Sequence, residues 1–300
     1  MPDLNPNSVG HQYMNNAVIG GSGAWTLLKE NKYSIKNIAP LKTPFGMSQP
    51  IFVIKKAGLK FLFLSRHGLK GYEINAPSVN YRANIYALKE LNVERLLSWS
   101  GPGAIDRRLK IGQYVLPHDV IDETKNRDDT FYKGTGLGFI RQSPVFCPQM
   151  KKVLKTVLKS SSVQFTSNGV YVCTEGPRLE TASEIKKYAS FGGTLVGQTL
   201  VPEVFLAREL EICYHPLCYI TNYAEGIRRA PFKPGELFEG MLFEKEKRDM
   251  GKAVQGFDKI ITKLFQYLDS LKRDCYCSQL MARYRNKGLI KGNWKSWLGK

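Results

Sequence analysis

The sequence has no apolar run as long as the roughly 18 residues that a membrane-spanning helix requires. Its first 15 residues are polar, and they have neither the basic start nor the apolar stretch of a secretory signal peptide. We therefore expect residues 1–15 to form a polar N-terminal arm and the chain to have no membrane span. A soluble, cytoplasmic protein is the expectation that follows.

Metal-binding patterns are also missing. The six cysteines form no C-x-x-C pair, and the chain has no H-E-x-x-H motif and no run of acidic ligands. Three of the cysteines, Cys173, Cys213 and Cys218, lie in apolar runs, which is typical of small buried side chains in a reducing compartment. These features predict that the protein has neither a structural nor a catalytic metal.

Acidic residues are scarce relative to basic ones, since 26 Asp and Glu stand against 44 Lys and Arg, which gives a net charge of +18. The excess is uneven, because residues 271–300 hold eight Lys or Arg and one acidic residue, Asp274. We interpret residues 272–300 as a solvated basic C-terminal extension, with nucleic acid or an acidic surface as the alternative interpretation. Residues 16–271 are then the folded domain.

What the chain does contain is a globular mixture, with 43% hydrophobic and 23% charged residues, in which strand-like and helix-like segments alternate. The apolar runs 51–54 and 61–65 flank a turn at residues 55–58, which predicts a hairpin. The alternation predicts an α/β fold whose sheet is covered on both faces, and the hairpin makes that sheet mixed. The predicted strands are residues 17–19, 51–54, 61–65, 95–100, 114–121, 169–174, 194–197 and 213–222, and the predicted helices are residues 77–91, 147–158, 181–190, 203–210 and 245–271.

Polar side chains follow several of the predicted strands, where sites form in open α/β sheets. The glycine turns Gly20–Gly23 and Gly101–Gly103 can expose backbone N–H groups to phosphate, and Arg66 offers a charged fork. Each glycine turn also fits a simple tight turn. The turn Gly20–Gly23 has the spacing of neither a P-loop nor a G-x-S-x-G elbow, and no His–Asp pattern accompanies Ser22 or Ser100. A serine hydrolase is therefore a weak alternative.

Taken together, these segments resemble the trimeric purine nucleoside phosphorylases, a family that includes the 5'-methylthioadenosine and methylthioinosine phosphorylases. The matching stretches are Val18–Gly23, Ser65–Gly68, Asn80–Ile85, Thr174–Thr181 (TEGPRLET), Val201–Glu203 and Ile220–Tyr223. The resemblance implies one three-layer α/β/α domain with a mixed central sheet, acting as a homotrimer. It also implies reversible phosphorolysis of a purine nucleoside to the free base and a pentose 1-phosphate, with inorganic phosphate as co-substrate and no metal or organic cofactor.

The resemblance further implies which residues contact each part of the substrates. The phosphate contacts would be Ser22, Arg66, His67, Ser100, the backbone of Gly101, and Thr199. The base and ribose contacts would be Leu179, Glu180, Gln198, Asn222 and Ala224. Among these, Glu180 and Asn222 face the base and are the catalytic candidates, Leu179 replaces an aromatic ring found in many relatives, and Gln198 stands where Met is usual.

The residue types at the base favour a 6-oxopurine. An ionised Glu180 only accepts hydrogen bonds, so it suits the N1–H of a 6-oxopurine, while the amide of Asn222 can serve N7 and O6. Relatives that act on adenosine place an aspartate at the position of Asn222 and a second one two residues later, where this chain has Ala224. Buried groups left unpaired by the wrong base would reject it strongly. Helix capping by Glu180 and turn closure by Asn222 are the structural alternatives.

Three departures from the family pattern leave other functions open. Pro102 removes one N–H from the presumed phosphate loop, Gln198 is polar where Met is usual, and residues 227–240 match no segment that would set the 5' substituent. The sequence therefore does not decide between a 5'-hydroxyl and a 5'-methylthio substrate. A 5'-methylthioadenosine phosphorylase and a purine-binding homologue with reduced or lost activity are the alternatives.

Overall fold

The structure, a computed structural model, describes residues 14–30, 33–56, 58–70, 72–229, 234–237 and 242–298, except for the side chains of Ser22, Thr26 and Leu27. The predicted N-terminal arm therefore lies almost entirely outside the described residues. The same holds for much of the segment 227–240.

The described strands form two mixed sheets and a small hairpin. The main sheet has the order β11-β9-β14-β7-β1-β6-β5-β2, the small sheet has the order β10-β12-β13-β8-β15, and β3 pairs with β4. The strands are β1 Asn16–Gly20, β2 Ser34–Ala39, β3 Lys42–Thr43, β4 Gly46–Met47, β5 Ile51–Lys56, β6 Leu59–Ser65, β7 Arg95–Ser100, β8 Gly103–Ala104, β9 Tyr114–Val115, β10 Asp119–Glu123, β11 Phe165–Thr166, β12 Val170–Thr174, β13 Leu195–Gly197, β14 Cys213–Tyr219 and β15 Asn222–Tyr223.

Helices cover both faces of the main sheet. Along β1, Ala17 and Ile19 belong to one core cluster, which also contains residues of α2 and α5, whereas Val18 belongs to a second cluster with residues of α1, α3 and α7. Because successive strand residues point to opposite faces, this division makes three layers. The predicted α/β/α class is therefore confirmed. The helices are α1 Ser22–Glu30, α2 Tyr81–Glu90, α3 Pro148–Ser160, α4 Ala182–Ser190, α5 Leu200–Glu209, α6 Glu244–Gln255, α7 Phe257–Asp269 and α8 Ala282–Asn286.

Four neighbouring strands of the main sheet run parallel, in the order β6-β1-β7-β14. Their registers set Gly20 beside Ser65, and Ser100 beside Cys218. The loops that follow these strands therefore all leave the sheet at the carboxyl ends of the strands. The polar residues that the sequence places after these strands lie at that end.

Two long predicted strands are wrong, since each divides between the two sheets. Residues 114–121 form β9 in the main sheet and β10 in the small one, and Pro117 between them has no N–H with which to continue a ladder. Residues 213–222 form β14, which ends at Tyr219, and the small-sheet strand that begins at Asn222. The chain crosses between sheets at both places, so these segments link the two halves of the site.

The long C-terminal helix predicted over residues 245–271 is also wrong, because it breaks into α6 and α7 at Gly256. The hydroxyl of Tyr114 donates to the carbonyl of Ala253, at 2.5 Å, and a Cβ on Gly256 would collide with that hydroxyl. This carbonyl would otherwise accept the N–H of Phe257 in a continuous helix. A tertiary hydrogen bond therefore meets the helix backbone at the place where α6 and α7 separate.

The expectation of a solvated extension is wrong for residues 272–298. Tyr284, Met281 and Trp297 are buried in a cluster with Tyr132. Arg285 also forms an ion pair with Glu211, 2.8 Å between nitrogen and oxygen. Many of the basic side chains remain exposed, but the segment itself packs on the domain. No helix in the described part of the chain is both long enough and apolar enough to cross a membrane.

His215 makes folding dependent on pH. It is fully buried in β14, its Nδ1 lies 2.8 Å from the carbonyl oxygen of Pro216, and its Nε2 has no hydrogen-bond partner among the described residues. Burial is the main reason that its pKa falls to about 3. The imidazole is therefore neutral in the folded protein at pH values where the unfolded chain binds a proton, so acid favours unfolding.

We predict that the wild type loses about 2 kcal/mol more stability than His215→Met when the pH falls from 7 to 5. Urea unfolding of both proteins at the two pH values measures this difference. Both proteins retain the other titrating groups, including His67 and Glu209, so the contributions of these groups to the stability change cancel in the comparison. Parallel pH profiles for the two proteins would contradict the assignment.

Candidate active site

The glycine turn after β1 lies against the Arg66-His67 pair after β6. The backbone N–H of Arg66 donates to the carbonyl of Gly20 at 2.9 Å, and a Cβ on Gly21 would lie 3.9 Å from the His67 ring. A Cβ on Gly20 would lie only 2.8 Å from that of Ala24, so the turn requires glycine there. Ser22 begins α1 beside this pair, and its side chain lies outside the described residues.

Arg66 is buried and ion-paired. Its Nε and Nη2 donate to the two carboxylate oxygens of Glu203 in α5, and Nη2 also lies 3.0 Å from the hydroxyl of Ser98. The hydroxyl of Tyr214 donates to the same carboxylate at 3.0 Å. Burial alone would lower the pKa of Arg66, but the Glu203 carboxylate raises it above its usual value, so the guanidinium stays charged.

His67 is buried and neutral. Its Nδ1 lies 2.9 Å from the carbonyl oxygen of Ile74, and since a carbonyl only accepts, Nδ1 is the nitrogen that carries the proton. Burial, followed by the neighbouring charge of Arg66, lowers the pKa of His67 to about 4. The remaining nitrogen, Nε2, is therefore an acceptor at neutral pH.

Two further phosphate candidates meet across the sheets. The hydroxyl oxygens of Ser100, at the end of β7, and Thr199, just before α5, lie 3.5 Å apart. The Tyr171 hydroxyl lies 3.4 Å from that of Ser100, and Gly197 has no Cβ to obstruct it. The backbone of Gly101 packs so closely on Thr221 that a Cβ there would collide with its methyl group. The structure thus brings Ser100, Gly101 and Thr199 together.

Glu180 lies buried after β12, and its carboxylate accepts a hydrogen bond from the hydroxyl of Thr174. It does not cap the next helix, because Thr181 and Glu184 form the predicted capping box of α4. Its neighbour Leu179 is partly exposed. The capping alternative for Glu180 is therefore excluded, and the carboxylate is available for another role.

The amide of Asn222 has a fixed orientation. Its Nδ2 donates to the carbonyl of Tyr223 at 2.9 Å, and its Oδ1 accepts from the hydroxyl of Thr221 at 2.7 Å. Since the carbonyl of Tyr223 only accepts, the nitrogen must be on that side, and one N–H of Nδ2 is still unused by this bond. Ala224 is buried in an apolar cluster with Ile185 and Val196, so it offers no polar group beside Asn222.

The segment that carries Glu180 lies next to the segment that carries Asn222. A Cβ on Gly226 would lie 2.7 Å from the Cβ of Ala182, two residues after Glu180. In the small sheet, Asn222 pairs with Gly103, which in turn pairs with Val196 of β13. The ends of β12, β13 and β15 therefore border one region.

Comparison of the chain with known protein families agrees with this arrangement. A family model described as "Phosphorylase superfamily" matches residues 16–264. The chain belongs to the phosphorylase superfamily.

Several relatives of known name cover most of the chain. It is 39% identical to a probable 6-oxopurine nucleoside phosphorylase of Dictyoglomus turgidum, over 91% of this chain and 99% of the relative. It is 42% identical to a probable S-methyl-5'-thioinosine phosphorylase of Methanocaldococcus jannaschii, over 80% of this chain and 90% of the relative. A crystal structure of a methylthioadenosine phosphorylase from an antarctic soil metagenomic library matches with a TM-score of 0.79 at 27% identity, and covers 90% of this chain and 91% of that chain.

In this phosphorylase-superfamily chain, Arg127 holds the site loops together, and the sequence patterns did not indicate it. Its Nη1 donates to the carbonyls of Gln198 and Val201, at 2.7 and 2.5 Å, and its Nη2 donates to those of Thr174 and Glu175, at 3.2 and 2.5 Å. The side chain is almost fully buried. No motif surrounds Arg127 in the sequence, so only the fold brings it to these carbonyls.

The amide of Gln198 also contacts the loop after β12. Its Nε2 donates to the carbonyl of Arg178 at 3.1 Å, and it packs against Gly176, where a Cβ would collide with it.

In the described part of the chain, one group of side chains could hold a metal ion. It is a cluster of cysteines that contains none of the candidate site residues named above.

We predict that Arg127→Met destabilises this superfamily member by about 3 kcal/mol, because buried carbonyls lose their donor. Amides of residues 175–181 and 198–201 should also exchange faster with deuterium. Arg178→Met is the matched control, since Arg178 is an exposed loop arginine paired with Glu184, and it should change stability by less than about 1 kcal/mol. Equal effects of the two substitutions would contradict the positioning role of Arg127.

Proposed function

We propose that the protein catalyses reversible phosphorolysis of purine nucleosides and prefers 6-oxopurines such as inosine, guanosine or 5'-methylthioinosine. The products are the free base and a pentose 1-phosphate. Inorganic phosphate is the co-substrate, and neither a metal nor an organic cofactor takes part in the reaction. Family membership and the names of the relatives support the reaction, and the geometry around Asn222 supports the base preference.

The fixed amide of Asn222, with apolar Ala224 beside it, is the observation that carries this proposal. An N–H of Nδ2 can donate to N7 or O6 of a 6-oxopurine. One oxygen of Glu180 accepts from Thr174, which leaves the other to accept the N1–H of the base. An adenine would present a bare N1 to Glu180 and an amino group to a region where Ala224 supplies no acceptor.

The phosphate would occupy the region bordered by the glycine turn, the Arg66-His67 pair and the hydroxyls of Ser100 and Thr199. In the proposed complex, Ser22 adds a further hydroxyl at the start of α1. The Nε2 of His67 accepts the O–H of hydrogen phosphate, because the other ring nitrogen is already bonded to Ile74. Directed hydrogen-bond donors in a partly enclosed site bind such an oxyanion well.

In the proposed reaction, the bond between C1' and N9 breaks as a phosphate oxygen forms a bond to C1'. Positive charge develops on the sugar, and the nearby phosphate stabilises it. The electron pair of the broken bond goes to the purine, where the hydrogen bond from Asn222 stabilises it, and the proton of hydrogen phosphate ends on the base. The protein contributes positioning and fixed dipoles and forms no covalent intermediate.

The oligomer and the location are further parts of this proposal. We infer a homotrimer of the 33.9-kDa chain from the resemblance of its motifs to trimeric relatives, and light scattering measures that mass directly. A dimeric or monomeric mass would contradict it. A cytoplasmic location in purine salvage is consistent with the proposed substrates, and fractionation of the source cells tests it.

We predict that release of base from inosine and 5'-methylthioinosine requires phosphate and exceeds that from adenosine and 5'-methylthioadenosine by at least about 10²-fold in kcat/KM. Chromatography of the bases released with and without phosphate measures both properties. A preference for 5'-methylthioadenosine would favour the alternative suggested by relatives of that name. Binding of hypoxanthine without turnover would instead indicate a homologue that has lost activity.

We predict that Asn222→Ala lowers kcat on inosine by about 10²-fold or more, since it removes the donor to the leaving base, while the KM for phosphate changes little. The double variant Asn222→Asp/Ala224→Asp should shift the preference toward 6-aminopurines. Circular dichroism and thermal unfolding check that both variants fold. Wild-type kcat on inosine in folded Asn222→Ala would show that Asn222 does not act on the base.

A further inference from the structure

Four cysteines form a compact cluster at one end of the strands of the main sheet, and the candidate active site lies at the other end. The Sγ atoms of Cys147, Cys213, Cys275 and Cys277 all lie within 4.8 Å of one another, and all four residues are buried. Cys213 begins β14, and Cys218, which pairs with Ser100 of the candidate site, lies about 16 Å further along the strand. The cluster is therefore separate from the site described above.

We propose that these four cysteines bind one divalent metal ion of the zinc class in a tetrahedral, four-thiolate site. Zinc–sulfur bonds of about 2.3 Å place the sulfurs of a tetrahedron about 3.8 Å apart. The cluster fits this size, with a separation of 3.3 Å between the sulfurs of Cys213 and Cys275. Small movements of the side chains would equalise the distances.

The separations favour a metal over disulfides. A disulfide requires a sulfur–sulfur distance of about 2.05 Å, and all six cysteines are free in this structure. Each sulfur also lies within 4.8 Å of all three others, as the four ligands of one ion must. A site with four protein thiolates has no open position for a substrate, which indicates a structural ion.

Arg208, which is buried, and Arg273, which is partly buried, supply the charge that such a site needs. Four thiolates and one divalent cation leave a net charge of −2, which is costly to bury without compensation. The Nη2 of Arg273 donates to the carbonyl of Glu211, two residues before Cys213, at 2.7 Å. The Nη1 of Arg208 donates to the carbonyl of Val145, two residues before Cys147, at 2.9 Å. The Nε of each arginine has no hydrogen-bond partner in the part of the chain that the structure describes.

The ligands come from three segments that are distant in the sequence. Cys147 immediately precedes α3, Cys213 begins β14, and Cys275 and Cys277 belong to the C-terminal segment after α7. An ion bound by all four would fasten this segment to the α/β domain, and its binding energy would add to the stability of the fold. The C-x-C spacing of the last two ligands is not a common zinc pattern, so the sequence alone did not indicate a site.

The test uses the full chain, purified with a reductant and without oxygen, and does not depend on the proposed function. Elemental analysis after gel filtration should find about one zinc per chain. Cobalt added after zinc removal should give the intense visible bands of a tetrahedral thiolate complex. Cys147→Ser and Cys277→Ser should lose both signals, whereas the matched control Cys218→Ala, which changes a buried cysteine outside the cluster, should keep them.

Zinc removal should also lower the midpoint of thermal unfolding of the wild type. If the serine variants fail to fold, zinc content and cobalt spectra of the wild type alone decide the question. A reduced wild type that retains no zinc and takes up no cobalt would overturn the proposal. Alkylation and mass spectrometry would then show whether the four sulfurs are free thiols or disulfides.

Discussion

The guanidinium of Arg127 is the contact on which the geometry of the site depends. Its hydrogen bonds reach the carbonyls of Thr174, Glu175, Gln198 and Val201, so one side chain joins the loop after β12 to the loop after β13. The first loop carries Glu180 and the second carries Thr199. Carbonyls that are buried without donors are costly, so the two loops hold this arrangement only while the guanidinium is present.

A second buried arginine organises the phosphate side. Arg66 is neutralised by Glu203, and the hydroxyls of Ser98 and Tyr214 complete the network. Removing one partner of such a pair leaves an uncompensated buried charge, at a cost of about 3–5 kcal/mol. Because the pair is nearly neutral overall, the proposed phosphate site would select its ligand through directed donors more than through excess positive charge.

The features that sequence predicted well are those fixed by neighbouring residues. The hairpin of β5 and β6 follows from its own turn, and α4 begins directly after Thr181 because Thr181 and Glu184 form a capping box that spans only four residues. The polar residues at predicted strand ends also included Ser100 and Thr199, and in the fold their hydroxyl oxygens lie 3.5 Å apart. In the first two cases the deciding interactions lie within a few residues, and in the third each residue ends a strand or follows one.

The features that sequence did not predict depend on contacts between distant residues. The hydroxyl of Tyr114 packs against the helix break at Gly256, and the guanidinium of Arg127 bonds to four carbonyls on two other loops. The cysteine cluster likewise combines positions that are up to 130 residues apart, from Cys147 to Cys277. No local pattern distinguishes such residues from ordinary surface or core positions.

The central claim is that Glu180 and Asn222 together recognise the edge of a 6-oxopurine. A crystal structure of the protein with hypoxanthine and phosphate tests it most directly. The account predicts N1 of the base within hydrogen-bond distance of the Glu180 carboxylate, N7 or O6 within that distance of the Asn222 amide, and phosphate beside Ser100 and Thr199. A purine bound away from Glu180 and Asn222 would contradict it.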